Sequence, residues 1–358
     1  MFSTITISVV TIVMISGAFA QPNEMRKQLI RRCLDQLHDE QYDSALANCA
    51  ALRRLWPEDP AGYLNAANIY QTMMRDYRVR LFEAQFDSLI NRAVQLAERQ
   101  SRRNNTAENL FALGSAQGYQ ALHRFRRGEW MQAFRGAAIA LNAMDRALAR
   151  DPDFIDPALA LALYEYWKSV KLDFGLGIFS RKRELAIGLL EKVWKHGRYV
   201  SVEAAYSLQT IYLQEGDAAR ALEINAWLYE RFPRNPVCLY HRALILEKLE
   251  RHREAFEAWE KLAARIHAFR KASDGFLAEC HLHRALLYEK MNEVSADEAG
   301  QRPVETALKL AATYARQRDA AAEMEGPLAS FEAINREIAR MLKKYSLTVS
   351  PISEAKKP

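Results

Sequence analysis

If any residues of this chain carry chemistry, the four cysteines and the histidines beside two of them are the first to consider. Cys238-x-x-His241 and Cys280-x-x-His283 supply two thiols and two imidazoles, the donor set of a tetrahedral zinc site. Residues three apart share one helix face, so each pair is well formed by itself. The two pairs, however, sit in copies of one longer motif. His241-Arg242-Ala243-Leu244 followed by Glu247-Lys248 recurs 42 residues later as His283-Arg284-Ala285-Leu286 followed by Glu289-Lys290. Equivalent positions in stacked copies are displaced by a helix-packing distance of about 8–10 Å and face the same way. That works against a shared metal. It also works against a Cys238–Cys280 bridge, which needs α-carbons within about 7 Å. A metal-binding or metal-dependent enzymatic role for Cys238, His241, Cys280 and His283 is therefore the second reading, and on the first no cofactor is expected.

Other catalytic signatures are missing. Gly175-Leu176-Gly177-Ile178-Phe179-Ser180-Arg181-Lys182 has glycines and cations without the Gly-Lys-Ser/Thr order of a phosphate loop. Neither a Gly-x-Ser-x-Gly elbow nor a His-Glu-x-x-His pair occurs. Phe174–Arg183 reads instead as a long turn whose apolar residues either tuck over the core or form an exposed contact element.

The elements around these residues are helical. Only 14 glycines and 11 prolines punctuate 358 residues, while Ala, Leu, Arg and Glu, which lose least on entering a helix, dominate. Hydrophobic residues at 49% and charged residues at 26% exclude a disordered chain. Residues 1–20 differ from the rest: Phe2 to Phe19 carries no charge, and Ala18-Phe19-Ala20 is the small-x-small pattern of a cleaved export signal. An exported, periplasmic protein beginning at Gln21 is the expectation, with a retained membrane anchor through residues 1–20 as the alternative. The net charge of +6 then belongs to the mature chain, clustered at Arg99–Arg103, Arg124–Arg127 and Arg181–Arg183. The first two clusters fall where helices stop, which suits the helix dipole, and export argues against a nucleic-acid partner. Attraction to anionic lipid or an acidic partner, and so peripheral association with the cell envelope, stays open.

Internal periodicity organises the chain. Gln214-Glu215-Gly216-Asp217 separates two amphipathic segments, the second running through Ala221 and Trp227-Leu228 to Phe232-Pro233. Ala255 follows Ala221 by 34 residues, and a bulky residue, Leu246 or Tyr212, stands nine before each. Pro233 follows Ala221 by twelve, as Pro57 follows Ala45 and Pro152 follows Ala140. These features resemble the tetratricopeptide repeat family, in which a 34-residue helix–turn–helix places a small residue where its helices touch. The resemblance is specific over 201–268, moderate over 24–57 and 106–197, and weak elsewhere.

It implies an all-α fold of helical hairpins stacked into a right-handed α-solenoid whose first helices line a concave groove. The array would occupy 21–325 as about seven pairs, near 24–57, 60–100, 106–151, 153–197, 201–233, 235–268 and 274–325. A capping helix over 326–345, with the stripe Leu328, Phe331, Ile334, Ile338 and Met341, and a disordered tail over 346–358 would follow. In the family register Cys33 is level with Ala45, leaving Cys49 about one 5.4 Å turn away, so a bridge in an oxidising compartment and two free thiols both remain open. Groove-facing residues would include Phe111, Tyr119, Tyr166, Trp167, Tyr206, Thr210, Tyr240, Glu247 and Lys248, a set suited to an extended peptide or a partner helix. The first reading is thus an exported, non-enzymatic scaffold that binds a protein or peptide partner.

Overall fold

The computed structural model describes residues 23–173, 180–292 and 298–348. The leader, the segment 174–179 of the long turn and the tail beyond 348 lie outside the described residues. Within them, helices follow one another in pairs. They are α1 (23–38) with α2 (Tyr42–Leu55), α3 (Ala61–Tyr77) with α4 (Glu83–Arg103), and α5 (Ala107–Arg126) with α6 (Trp130–Arg150). Next come α7 (Ala158–Asp173) with α8 (Ser180–His196), α9 (Ser201–Gln214) with α10 (Ala218–Arg231), and α11 (Pro236–Lys248) with α12 (His252–Ala268). α13 (Asp274–Asn292) with α14 (Glu298–Gln317) and a lone α15 (Phe331–Lys344) complete the set.

Two compact units result. The first holds the described chain up to Ile69 together with Ala84–Pro157; the second holds Tyr70–Glu83 and the described chain from Ala158 on. The boundary therefore cuts through α3. After its last turn the backbone of Arg78 and Arg80 pairs with 322–324 through an isolated Val79–Glu323 bridge, which fixes that corner in the second unit.

One turn recurs inside the pairs. Glu40, Gly128, Gly216 and Glu250 each have positive φ, at 60°, 78°, 85° and 57°. The next residue donates its N–H five residues back, Gln41 to Gln36, Glu129 to Arg124, Asp217 to Tyr212 and Arg251 to Leu246, at 2.8–2.9 Å. This is the Schellman ending, which satisfies carbonyls that the helix leaves open. The second helix begins immediately afterwards, so the turn fixes the hairpin. Arg78 and Ser346 end α3 and α15 in the same way, with Val79 bonding Met74 and Leu347 bonding Leu342 at 2.9 Å. Leu347 also packs on the last core cluster, which corrects the expectation that disorder begins at 346.

In each of the four hairpins an alanine lies four residues beyond the Schellman donor: Ala45, Ala133, Ala221 and Ala255, all buried. Cys33 reaches the Ala45 carbonyl at 3.7 Å, so α1 meets α2 at that alanine. The register of the third pair is accordingly Ala133, seven residues before the Ala140 inferred from Pro152, because α6 is about two turns longer than α2 and α10. Ala221→Leu is expected to lower stability by about 1–3 kcal/mol, since a methyl is all the contact admits. Ala219, on the exposed side of the same helix, should accept leucine within about 0.5 kcal/mol. Denaturant midpoints of the two variants check this; equal values would place the close approach elsewhere.

Among the described residues of the second unit, two apolar clusters bear on the helices that follow. One joins α7 to α11 through Ala162, Tyr166, Leu190, Leu208, Ile224 and Leu228. The other joins α13, α14 and α15, where Ile334, Ile338 and Met341 of α15 cover Ala278, Leu282, Leu308 and Ala311. Leu328 precedes the helix and is exposed, so the stripe of α15 starts at Phe331.

Candidate partner-binding surface

The first helices of the second unit are α7, α9, α11 and α13, and the residues expected to face outward from them divide into two groups. Tyr166 and Tyr240 do not face a groove. Tyr166 is fully buried, with its hydroxyl donated to Glu215 at 2.7 Å. Tyr240 is buried too and donates to Glu279 at 3.0 Å. Tyr166 lies within the cluster that joins α7 to α11, whereas Tyr240 has a cover from far away in sequence. The Arg78 guanidinium lies 5.0 Å from the Tyr240 ring and 3.6 Å from that of Phe276, and it forms a buried ion pair with Glu279. Tyr77 stacks on Phe269 at 3.7 Å. Burial opposes the charge on Arg78, but Glu279 and its hydrogen bond outweigh it, so the guanidinium is held more firmly protonated than usual.

Thr210, His241, Glu247 and His283 extend this interior network. His241 contacts the Val237 carbonyl through Nδ1 and the Thr210 hydroxyl through Nε2, both at 2.9 Å. Burial pushes its pKa down to about 4, so the ring is neutral. A carbonyl can only accept, which puts the ring proton on Nδ1, and the one proton of the Thr210 hydroxyl is shared between Nε2 and the Tyr206 carbonyl, 3.0 Å away. Glu247 accepts from His283 at 2.8 Å and from the Trp259 indole, while the Trp259 and His283 rings stack at 4.3 Å. Burial would depress His283, but the bond and charge of Glu247 prevail and raise it. Tyr206, half-buried as a residue, has its phenol pushed far up by burial, with Cys238 and Asp76 adding to the effect. Tyr206 and Tyr240 stand 34 residues apart, each ten residues before the equivalent turn at Gly216 or Glu250 that ends its helix, so repeat length, hairpin turn and small-residue contact coincide.

The fold is tetratricopeptide-like. No family model matches the chain, and no curated protein matches it in sequence. Among solved structures it is similar to the C-terminal part of a TPR repeat-containing protein from Cytophaga hutchinsonii, at 15% identity and a TM-score of 0.40, over 82% of this chain and 97% of that one. A thermophilic TPR protein from Thermus thermophilus gives 18% identity and a TM-score of 0.37 over 63% and 99%. Yeast Tom70 gives 12% and 0.36 over 92% and 84%. These likenesses concern fold and assign no partner.

On this tetratricopeptide-like frame the outward set is small. Trp167 is 36% exposed, and Lys248 is exposed at the end of α11. Tyr164, missed by the sequence reading, is 47% exposed on the face of α7 that carries Trp167, and Lys168 lies 5.3 Å from its ring. Trp167 stands edge-on against the buried Tyr166 at 5.1 Å, which orients it. In the first unit Phe111 is half-buried and edge-on to Phe154 at 5.2 Å, and Tyr119 is half-buried. The signal that could have separated Tyr164 from Tyr166 is the helical period: Tyr164, Trp167 and Lys171 share one stripe, and Tyr166 shares the other with Ala162.

The paired Cys/His motifs do not converge. Among the described residues no group of three or more His, Cys, Asp and Glu could hold a metal ion. Cys238 faces Asn225, and burial lifts its thiol to about 12; burial also lifts that of Cys280. Cys33 and Cys49 are free buried thiols with sulfurs 3.5 Å apart. Cys49 donates to Cys33, which lowers the Cys33 pKa and raises that of Cys49.

Proposed function

We propose that the protein is an exported, non-enzymatic scaffold of tetratricopeptide type that works in the periplasm. It binds a peptide or a helix of a protein partner, not nucleic acid, on the outward face of α7. The observation that carries this reading is the exposed pair Tyr164 and Trp167, two large aromatics on one stripe beside Lys168. Aromatic anchors of this kind supply much contact area for little lost side-chain freedom, and they dominate interface energetics. The network around Tyr240, by contrast, engages its carboxylates and imidazoles with one another and serves the fold.

The test compares wild type with Tyr164→Ala/Trp167→Ala in capture from a native envelope extract, with captured proteins identified and quantified. Specific capture should fall by roughly tenfold or more, as for loss of a hot-spot residue, with the melting temperature nearly unchanged. Undiminished capture by the variant would sink the α7 surface. Weighed intact, the protein from its native compartment is expected to begin at Gln21; a mass retaining Met1–Ala20 would make it a tethered scaffold instead.

A further inference from the structure

The α5–α6 hairpin inverts the usual distribution of side chains. Toward α5, α6 buries mainly small residues, Ala133, Gly136, Ala140, Ala143 and Ala147, with Met144 as the one large side chain, seated over Gly114. A β-carbon at Gly136 would come within 3.1 Å of that of Ala121, so the interior has no room for more. The large apolar residues point outward: Trp130 is 53% exposed, Met131 87% and Phe134 66%. Leu122 and Phe125, in the last turns of α5, are exposed beside them, and the Phe125 and Trp130 rings meet edge-on at 4.6 Å. These five side chains all lie within about two turns of the hairpin's end, around the turn at Gly128. They crown a tip and do not line a groove.

Charge surrounds the tip. Arg124, Arg126, Arg127 and Arg135 stand within the same stretch against a single acid, Glu129. Arg127 pairs with Glu129 at 3.0 Å and with Asp87 at 2.9 Å, and Arg135 is exposed. Tryptophan favours the depth of lipid headgroups, phenylalanine and methionine enter the acyl boundary below it, and arginines beside them meet lipid phosphates. Among the described residues no helix is long and apolar enough to cross a membrane, so the contact would be interfacial.

We propose that the α5–α6 tip is a membrane-docking element that inserts Trp130, Met131 and Phe134 into the surface of a bilayer containing anionic phospholipid, with the flanking arginines on its headgroups. Such a protrusion enters a bilayer without needing a concave partner, and the guanidinium ring selects anionic lipid over neutral lipid. This inference is independent of the partner surface on α7.

The test labels Met131→Cys with an environment-sensitive dye; the four native thiols are buried and so protected. Vesicles of phosphatidylglycerol mixed with phosphatidylcholine, carrying a nitroxide on the acyl chains, are the probe. Quenching is expected at position 131 and not at exposed Ala219→Cys, and it should weaken with added salt and on vesicles of phosphatidylcholine alone. Met131→Ser/Phe134→Ser, at two highly exposed positions, should reduce vesicle affinity by roughly tenfold or more without changing the melting temperature. An unquenched label at 131, or serine variants that bind as well as wild type, would overturn the proposal. So would a wild-type dimer that the serine variants abolish, which would assign the tip to a second copy of the chain.

Discussion

Glu279→Ala should lower the stability of the second unit by about 3–5 kcal/mol, the range for breaking a buried ion pair from one side. The pair is deeply enclosed: the Arg78 side chain is 5% exposed and that of Glu279 1%. Alanine would strand a guanidinium among the rings of Tyr240 and Phe276 and leave the Tyr240 hydroxyl without its acceptor. Replacing both partners with apolar residues, as in Arg78→Met/Glu279→Leu, should recover part of the loss, because desolvation of the charges is then removed along with their attraction while the Tyr240 hydroxyl stays without an acceptor. Denaturant unfolding of the single and double variants reads both quantities. A loss below about 1 kcal/mol for Glu279→Ala would mean that water reaches the pair as it reaches a surface salt bridge.

Tyr240→Ala and Tyr166→Ala are each expected to cost about 3–5 kcal/mol, the amount typical of large aromatic truncations in cores. Trp167→Ala, one residue from Tyr166, should stay within about 1 kcal/mol because its ring is partly in solvent. Tyr240→Phe separates the hydroxyl from the ring: it should lose about 1.5–3 kcal/mol, the range for a hydrogen bond to a charged group. The measurement is again the unfolding midpoint. Similar small losses for Tyr240→Ala and Trp167→Ala would return Tyr240 to the surface.

Local features were legible in the sequence and distant ones were not. Ala221 and Ala255 could be placed because a Schellman turn and the helix it opens span fewer than a dozen residues, and their spacing survives in the chain. Ala140 misled because it was counted back from Pro152 through a helix two turns longer than α2 or α10; counted forward from Gly128, the contact falls on Ala133. What periodicity does not carry is the identity of a segment laid over the Tyr240 face, and Tyr77–Arg78 comes from another repeat altogether. The two stripes of α6 were also visible, Trp130 and Phe134 against Ala133, Gly136 and Ala140. Pattern alone assigns the bulkier stripe to the interior, and close packing of the small one reverses that.

The pairing of Arg78 with Glu279 spans 201 residues, which has a consequence for how the chain is made. The second unit is not a continuous stretch of polypeptide. A ribosome delivers its first strip well before the rest, and Glu323, the bridge partner of Val79, emerges later still. Contacts of such high order are slow to form, because loop closure must precede any gain from them. The early strip therefore waits with Tyr77 and Val79 unburied, a state that a holding chaperone would shield. A fragment cut to begin at Ala158 would lack its own arginine and retain a buried, unmatched Glu279.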